Sequence, residues 1–361
     1  MVRLVRAGIS MHAVATRFHS SVCTVSRWVK RADGCRLDRA SFSDRKPGGA
    51  WNRTGSALEQ RIVELRTSLR EASVLGEYGA AAIYRALKME LPDAPSQSTI
   101  NRVLARRGLQ DGVCRVRRPA PPVGWYLPDV AAGRAELDCF DFIEDLKIAK
   151  GPLLDLLTVK SVRGRLTDAW VLNRRSAKRT VRCLRRRWKH DGLPRYAQFD
   201  NDTVFQGAHQ FAHAVGRVSR LCLQLGIVPV FVPPLEHGMQ NTIEGFNALW
   251  QAKVWRRHQV QSARELQLCS ERYINAHRLR AQALAEDAPP PARRPMPKGF
   301  RFNPHARVRG LMIFIRRTDE TGHVHLLGQR FAVSPDWPHR LVRCEVDFDH
   351  RCIRCFALRR R

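Results

Sequence analysis

The sequence predicts a multidomain α+β protein with helical modules first, a mixed α/β core next and a small C-terminal β-barrel last. The chain has 361 residues, enough for two or three domains of about 150 residues each. Runs rich in Pro, Gly or polar residues at 35–55, 111–128 and 286–299 indicate linkers. Between these linkers the hydrophobic period changes from helical, to mixed, to the alternation typical of strands.

The composition is strongly basic throughout. Lys and Arg total 63 against 33 Asp and Glu, which gives a formal net charge of +30 and a pI near 11.0. The excess is +12 over residues 1–128, +10 over 129–285 and +8 over 286–361. Such a spread favours a polyanionic partner, nucleic acid first, and argues against an enzyme of ordinary small metabolites.

The sequence contains no apolar run long enough for a membrane span, so no membrane partner is expected. Its ten cysteines are widely spaced apart from one CxxC, Cys352 and Cys355, which favours free thiols in a reducing compartment. We therefore expect a cytoplasmic, nucleoid-associated protein.

Residues 1–34 are predicted to form a helix-turn-helix. Ser10 is a good N-cap for the first helix of the pair, and His19–Ser21 forms the turn. The second helix turns its apolar residues inward and leaves a polar face, which consists of Thr24, Ser26, Arg27 and Lys30. This pattern is typical of a helix that enters the major groove of DNA. A plain helical hairpin is the alternative.

Residues 56–110 repeat the theme and predict a second helix-turn-helix. Ser98 can cap its last helix, and Gly108 can end it. That helix presents Arg102, Arg106 and Arg107 as candidate DNA contacts. The alternative is a helical spacer that only packs against the next domain.

Residues 129–285 predict a sheet covered by helices. The order is strand, strand, strand, helix, strand, helix, strand, helix. The predicted segments are 134–145, 153–162, 169–172, 176–189, 196–199, 210–225, 227–232 and 241–255. The first three strands, joined by short turns, predict an antiparallel meander.

Two segments of this core carry a family resemblance. FDNDTVF at 199–205, and LGIVPVFVPP followed by GMQNTIEGFNALWQAKV, resemble the integrase-core (DDE) transposases of bacterial insertion sequences. That family is related to retroviral integrases and has a ribonuclease-H-like fold. The resemblance implies a polynucleotidyl transferase that cleaves and joins DNA ends as a homo-oligomer on DNA. Its partners would be the terminal repeats of a mobile element and target DNA.

The resemblance selects Asp138, Asp200 and Glu244 as the catalytic, metal-binding carboxylates. The interval from Ile227 to Glu244 matches the family and favours Glu244 over Glu236. AGRAELD resembles the family's entry into strand one and favours Asp138, with Asp141 as the competitor. Asp202, where the family has glycine, departs from the pattern.

Carboxylates suit this chemistry because phosphodiester cleavage builds charge on the attacking and leaving oxygens. Two cations about 3.5–4 Å apart can stabilise both oxygens. Oxygen ligands favour Mg²⁺, for which Mn²⁺ can substitute. Lys253, beyond Glu244 on the same predicted helix, is a further candidate DNA contact. The alternative function is a catalytically inactive DNA-binding protein or regulator derived from such an element.

The last predicted domain, residues 300–361, alternates between apolar and polar residues over 308–358. Turn signals interrupt the alternation at Glu320–Gly322 and at Asp349-His350. This pattern predicts a five-stranded barrel. In the resembling family such barrels bind DNA without sequence preference or join subunits.

Overall fold

The computed structural model describes residues 1–43, 54–112, 124–148, 151–208, 211, 214–233 and 238–358. The chain separates into two compact units, Met1–Gln60 and Arg61–Arg361. The first unit corresponds to the first predicted module and its linker. The second unit contains the second helical module, the core and the C-terminal region, which the predicted linkers at 111–128 and 286–299 would separate.

The first unit contains three short helices, α1 (Val2–Arg6), α2 (Met11–Arg17) and α3 (Val22–Arg31). They pack around a small core that consists of Val14, Ala15 and Val25. Two serines begin the helices as N-caps: the Ser10 hydroxyl accepts a hydrogen bond from the Ala13 amide, and Ser21 accepts one from Thr24. The predicted cap at Ser10 and the turn before α3 are confirmed.

Three further helices precede the sheet, α4 (Ser56–Ala72), α5 (Ala80–Glu90) and α6 (Gln97–Arg106). The N-cap of α6 is Ser96, whose hydroxyl accepts a hydrogen bond from the Thr99 amide at 3.3 Å. The predicted cap, Ser98, lies inside the helix. The prediction was wrong because several consecutive polar residues could each begin this helix.

The sheet of the second unit has eight strands in the order β10-β9-β6-β5-β4-β1-β2-β3. Its first five strands are β1 (Leu137–Lys147), β2 (Leu153–Ser161), β3 (Thr167–Leu172), β4 (Tyr196–Phe199) and β5 (Val228–Phe231). The predicted antiparallel meander of β1, β2 and β3 is confirmed. Strands β4 and β5 add in parallel on the other side of β1. The core is therefore a large mixed sheet with helices, as the order of predicted elements indicated.

Helices cover both faces of the sheet. They are α7 (Pro128–Ala131), α8 (Ala177–Asp191), α9 (Thr203–Gln206), α10 (Arg217–Gln224), α11 (Asn241–Trp250) and α12 (Ala263–Asp287). Helix α11 continues as a π-helical turn over Gln251–Trp255. The long α12 was not predicted, and the helix expected at 210–225 begins only at Arg217.

Alternation along the strands divides the core into two clusters, one on each face of the sheet. Leu137 and Cys139 of β1 pack on the face covered by α11 and α12. Phe140 and Phe142 pack on the face covered by α8 and α10. The alternation assigns the residues of β1 to a face as far as Ile143, after which the register of the strand shifts.

The C-terminal region has five strands, as predicted, but they do not close into a separate barrel. The strands are β6 (Leu311–Arg317), β7 (His323–Leu326), β8 (Gln329–Ala332), β9 (Leu341–Asp347) and β10 (Cys352–Ala357). β6 pairs in parallel with β5, and β9 and β10 extend the same sheet, while β7 and β8 form a hairpin. Ile313 and Phe314 of β6 bury their side chains in the two clusters, which draws these strands into the main core.

The proline-rich segment 286–299, predicted as a linker, is docked on the second unit, and we call it the strap. Leu193 and Arg294 pair as an isolated antiparallel bridge. The Arg294 guanidinium donates to the carbonyls of Leu225 and Gly226 at 3.1 and 2.8 Å. None of the helices in the described ranges is both long and apolar enough to cross a membrane.

Candidate active site

The two candidate first carboxylates lie on opposite faces of the sheet. Asp138 and Asp141 are three residues apart on β1, and side chains an odd number of residues apart point to opposite faces. Asp138 faces α8, where it contacts Arg187 and Trp188. Asp141 faces α11, where it contacts Asn247.

Asp138 is fully buried in a network of hydrogen-bond donors. The guanidinium groups of Arg187 and Arg293 donate to it at 3.1 and 2.7 Å, and the Trp188 indole donates at 3.2 Å. The Ser161 hydroxyl donates at 2.8 Å. Burial alone would raise the pKa of Asp138, but the two guanidinium groups hold it well below its usual value. The oxygens of Asp138, the predicted first carboxylate, are therefore occupied by arginine, which argues against a metal-binding role for it.

Asp141 is held by a short chain of polar side chains. The Asn247 amide donates to Asp141 Oδ2 at 2.8 Å, and the Phe142 backbone amide donates to Oδ1 at 2.9 Å. The Thr158 hydroxyl lies 2.7 Å from Asn247 Oδ1, to which it donates. Because Thr158 and Asn247 are buried, this chain fixes the direction of the Asp141 carboxylate.

The other two predicted carboxylates lie on the Asp141 side of the sheet. Asp138 of β1 pairs with Ala197 of the parallel strand β4. Continued for three residues, this register places Asp141 beside Asp200. Asp200 follows β4 directly, and the Asp202 amide donates to its Oδ1 at 3.0 Å. Glu244 is exposed in the first turn of α11, one turn before Asn247.

The surroundings of Asp141 disfavour its charged form. Its pKa is raised to about 7, mainly by burial and in addition by the nearby negative charges of Asp200 and Glu244. Burial also raises the pKa of Asp200, opposed by the hydrogen bond from the Asp202 amide. Like charges that are not neutralised by a basic partner favour protonation or a bound cation.

These carboxylates are near one another without forming a closed cage. Among the residues that the structure describes, no three His, Cys, Asp or Glu side chains are grouped so that they could hold a metal ion. Glu236, the competitor of Glu244, lies outside the described residues. The donor set still fits a hard divalent cation chemically, because all three ligands would be carboxylate oxygens.

One arginine lies next to this acidic group. Arg175 contacts Glu144 and donates to Asp202 at 2.8 Å, and its Nε lies 3.8 Å from Asp155. It lowers the pKa of Asp200, against the larger effect of burial. Asp202, which departs from the family pattern, also caps α9 through its bond from the Val204 amide.

Sequence reasoning missed a buried contact that holds the start of α11. The Tyr126 hydroxyl hydrogen-bonds to Gln198 and donates to the Met239 carbonyl at 3.2 Å. The Gln198 amide donates to the same carbonyl at 3.1 Å. Met239 lies two residues before α11, so this contact places the helix that carries Glu244. The available signal was a glutamine inside the apolar strand YAQF.

The predicted DNA contacts on the two helical modules divide by exposure. On α3, Arg27 and Lys30 are exposed, whereas Thr24 and Ser26 are half-buried. The Thr24 hydroxyl lies 2.9 Å from that of Ser21, the N-cap. Arg102 and Arg106 on α6 are exposed, as is Arg107 at its end.

Lys253, a predicted DNA contact, is half-buried against the α4–α5 connection. Its ammonium donates to the Gly76 carbonyl at 2.9 Å and lies 5.8 Å from the centre of the Tyr78 ring. Nearby, Arg257 donates to the carbonyls of Glu71 and Ser73. These bonds anchor the α4–α5 connection to the π-helical turn, which accounts for Lys253 as a packing contact.

No protein-family model matches the chain, and no curated protein matches it. Several solved structures are similar to it. One is a cryo-EM structure of the simian T-cell lymphotropic virus intasome with the PP2A regulatory subunit B56 gamma: 12% identity, 72% of this chain, 84% of that chain, TM-score 0.33.

Two others are retroviral catalytic cores. The BIV integrase core is 16% identical over 39% of this chain and 81% of its own, with a TM-score of 0.29. The HTLV-2 integrase core, solved in complex with magnesium, is 12% identical over 45% and 87%, with a TM-score of 0.29. Likeness at this level assigns no activity to the chain.

Proposed function

We propose that this protein is a DDE-type transposase that cleaves and joins DNA ends with a divalent metal, Mg²⁺ or Mn²⁺. The observation that carries the proposal is the electrostatic coupling of Asp141 to Asp200 and Glu244 on one face of the sheet. Asp141 replaces Asp138 as first carboxylate because Asp138 is committed to Arg187 and Arg293. A buried carboxylate whose charged form is disfavoured by two neighbouring carboxylates suits a site for cations.

The chain's own residues would prepare this site. Asp141, Asp200 and Glu244 would hold the metal, which when bound supplies charge to the attacking and leaving oxygens. Asn247 and Thr158 orient Asp141 through their hydrogen bonds. Tyr126 and Gln198 hold the Met239 carbonyl, two residues before α11, and so restrict where Glu244 can reach.

Charge and exposure support DNA as the substrate. The net charge is +30, and Arg27, Lys30 and Arg102 are exposed on helices of the two modules. We propose that these helices bind the terminal repeats of a mobile element, that target DNA joins at the carboxylates, and that the protein assembles as a homo-oligomer on DNA. Its expected place is the nucleoid.

A strand-transfer assay on the DNA that flanks the protein's own gene tests the proposal. With Mg²⁺, wild-type protein should cleave and join the ends, while Asp141→Asn, Asp200→Asn and Glu244→Gln should abolish joining and keep end binding. Glu265→Gln on α12 is a matched control, since it removes an exposed carboxylate on the same layer. Joining by Asp141→Asn at the wild-type rate would refute the assignment.

The second candidate is a DNA-binding regulator without catalysis. It is favoured by the lack of a closed three-ligand group among the described side chains. In that case wild-type protein would bind the ends specifically but join none with Mg²⁺ or Mn²⁺. Calorimetric titration with Mn²⁺ separates the two functions without DNA, because only the transposase should lose metal affinity on Asp141→Asn.

A further inference from the structure

A basic groove lies on the face of the sheet opposite Asp141. It has a volume of about 560 Å³ and is bounded by α8, the start of α10, the end of the strap and the chain that follows it. Its cationic lining residues are Lys178, Arg182, Arg185, Arg186, Lys189 and Arg217. Its floor is apolar and consists of Val181, Met296, Phe302 and Pro304. None of its lining residues is an Asp or Glu.

The cations of this basic groove form an ordered row. The five on α8 follow one face of the helix from Lys178 to Lys189, a rise of about 16 Å at 1.5 Å per residue. None of the six forms an ion pair within the described part of the chain. The Nε of Arg185 is buried, with no acceptor among the described residues. Within the described ranges, the row therefore has no anionic partner.

The floor distinguishes the groove from a general phosphate surface. Met296 and Phe302 are half-buried against the core cluster of this face, so the groove exposes only part of each. Duplex DNA hides the faces of its bases in the stack and would offer this floor nothing. A single strand offers bases that can stack on aromatic and apolar side chains while its phosphates follow a row of cations.

We propose that the basic groove binds an unpaired segment of a DNA strand, with bases on the Met296–Phe302 floor and phosphates along α8. The site is separate from the carboxylates, so it adds a second strand-binding surface to the proposed function. It needs no divalent metal, which allows it to be tested in EDTA.

Fluorescence anisotropy of the full chain tests this proposal. One probe is a labelled oligothymidylate, longer than the binding site of about 4–16 nucleotides that is usual for a single-strand-binding OB-fold. The other probe is a duplex of equal length. The variant Arg182→Gln/Lys189→Gln should weaken single-strand binding about tenfold and reduce the salt slope by about 1.4, at about 0.7 per phosphate contact. The control Arg264→Gln/Arg272→Gln removes two exposed cations from α12 and should leave single-strand affinity unchanged.

The floor is tested by Phe302→Leu, which keeps most of the bulk. Loss of stacking should weaken single-strand binding about 5- to 100-fold, with little effect on the duplex. In the wild-type protein, an iodouracil-substituted strand should cross-link to the peptide that contains Met296 and Phe302. This measurement needs no variant and so cannot be confused with misfolding.

Three results would overturn the proposal: unchanged single-strand binding by Arg182→Gln/Lys189→Gln, cross-links only to other peptides, or an equal loss of duplex binding. Equal loss would make the groove a duplex phosphate surface. Failure of the carboxylate site is distinguishable, because Asp141→Asn should lose strand joining while it retains oligothymidylate binding in EDTA.

Discussion

Two aspartates on one strand show how little sequence distance separates a structural residue from a candidate catalytic one. On one face of the sheet, two arginines neutralise Asp138. On the other face, burial and two neighbouring carboxylates raise the pKa of Asp141. Family spacing favoured Asp138, but the period of two along a strand decides which aspartate can share a face with Glu244. The alternation of side chains along β1, read from Cys139 and Phe140, would have placed Asp138 and Asp141 on opposite faces of the sheet.

Asp141→Asn should stabilise the folded protein at alkaline pH. A carboxyl group whose pKa is higher in the folded than in the unfolded protein stabilises the fold at pH values below its unfolded pKa. For Asp141 this contribution is lost as the pH rises through its folded pKa of about 7. Asparagine does not titrate, so its contribution does not change with pH. The free energy of unfolding of the variant should therefore exceed that of the wild type by up to about 4 kcal/mol at pH 8 and match it near pH 4. Urea unfolding in EDTA at both pH values measures this. An Asp141→Asn protein less stable than wild type at pH 8 would contradict it.

Asp138→Asn should have the opposite effect. It removes the carboxylate that Arg187 and Arg293 share. Arg187 keeps its ion pairs with Asp168 and Asp191, whereas Arg293 loses its buried partner, so the cost should be at most about 5 kcal/mol. Because the folded pKa of Asp138 is held well below its usual value, the loss should be equal at pH 5 and pH 8. Urea unfolding at these pH values checks the sign and the flat dependence. Glu90→Gln, at an exposed pair with Arg61, is the control and should change the unfolding midpoint little.

At the scale of elements, α11 depends on contacts outside itself. Its N-cap, Gln240, makes no side-chain capping bond, so the start of the helix is held by Tyr126 and Gln198 through the Met239 carbonyl. A helix that begins next to a proposed catalytic residue and lacks its own cap is sensitive to those contacts.

Tyr126→Phe should therefore destabilise the protein and slow strand transfer. Loss of the buried hydroxyl leaves the Gln198 acceptor without its donor, at a cost of about 1–3 kcal/mol. Joining should fall while binding of DNA ends is retained, because the helical modules are untouched. Urea unfolding and the strand-transfer assay measure the two effects. Unchanged joining in a destabilised variant would separate α11 placement from catalysis.

Helix α3 has the features expected of a DNA-reading element, with a serine cap, a buried Val25 and exposed Arg27. If Arg27 contacts a base edge, Arg27→Ala should weaken binding to the element's ends by about 1–3 kcal/mol and relax specificity at one position. Gel-shift titration with end and scrambled duplexes measures this. An equal loss on both duplexes would make Arg27 a phosphate contact instead.

Across the whole molecule, the sequence predicted elements better than their assembly. Strands β1 to β5 and helices α8 and α11 lie close to the predicted segments because their apolar periods are clear. The strap and the C-terminal strands were misjudged, since proline content indicates a break in regular structure but not whether the segment is docked. The pairing of Phe231 with Phe314 depends on contacts distant in sequence, which no local pattern reports.

The charge of the whole chain predicts a steep dependence of DNA binding on salt. With about six to ten phosphate contacts, affinity for end DNA should fall by about 10³–10⁵ between 50 and 200 mM salt. Arg187 and Arg293 will not contribute, because they neutralise Asp138 inside the fold. Anisotropy titrations over this salt range give the slope. A flat response would mean that most of the basic surface does not contact DNA.

The continuity of the sheet from β5 into β6 governs how the catalytic region can be isolated. A fragment cut at the predicted core boundary, near residue 285, would expose the backbone and apolar side chains of β5 as a free edge, and such edges promote aggregation. It would also lose Arg293, one of the two cations that neutralise Asp138. Fragments for crystallisation or metal titration should therefore retain the C-terminal strands and remove only the first unit.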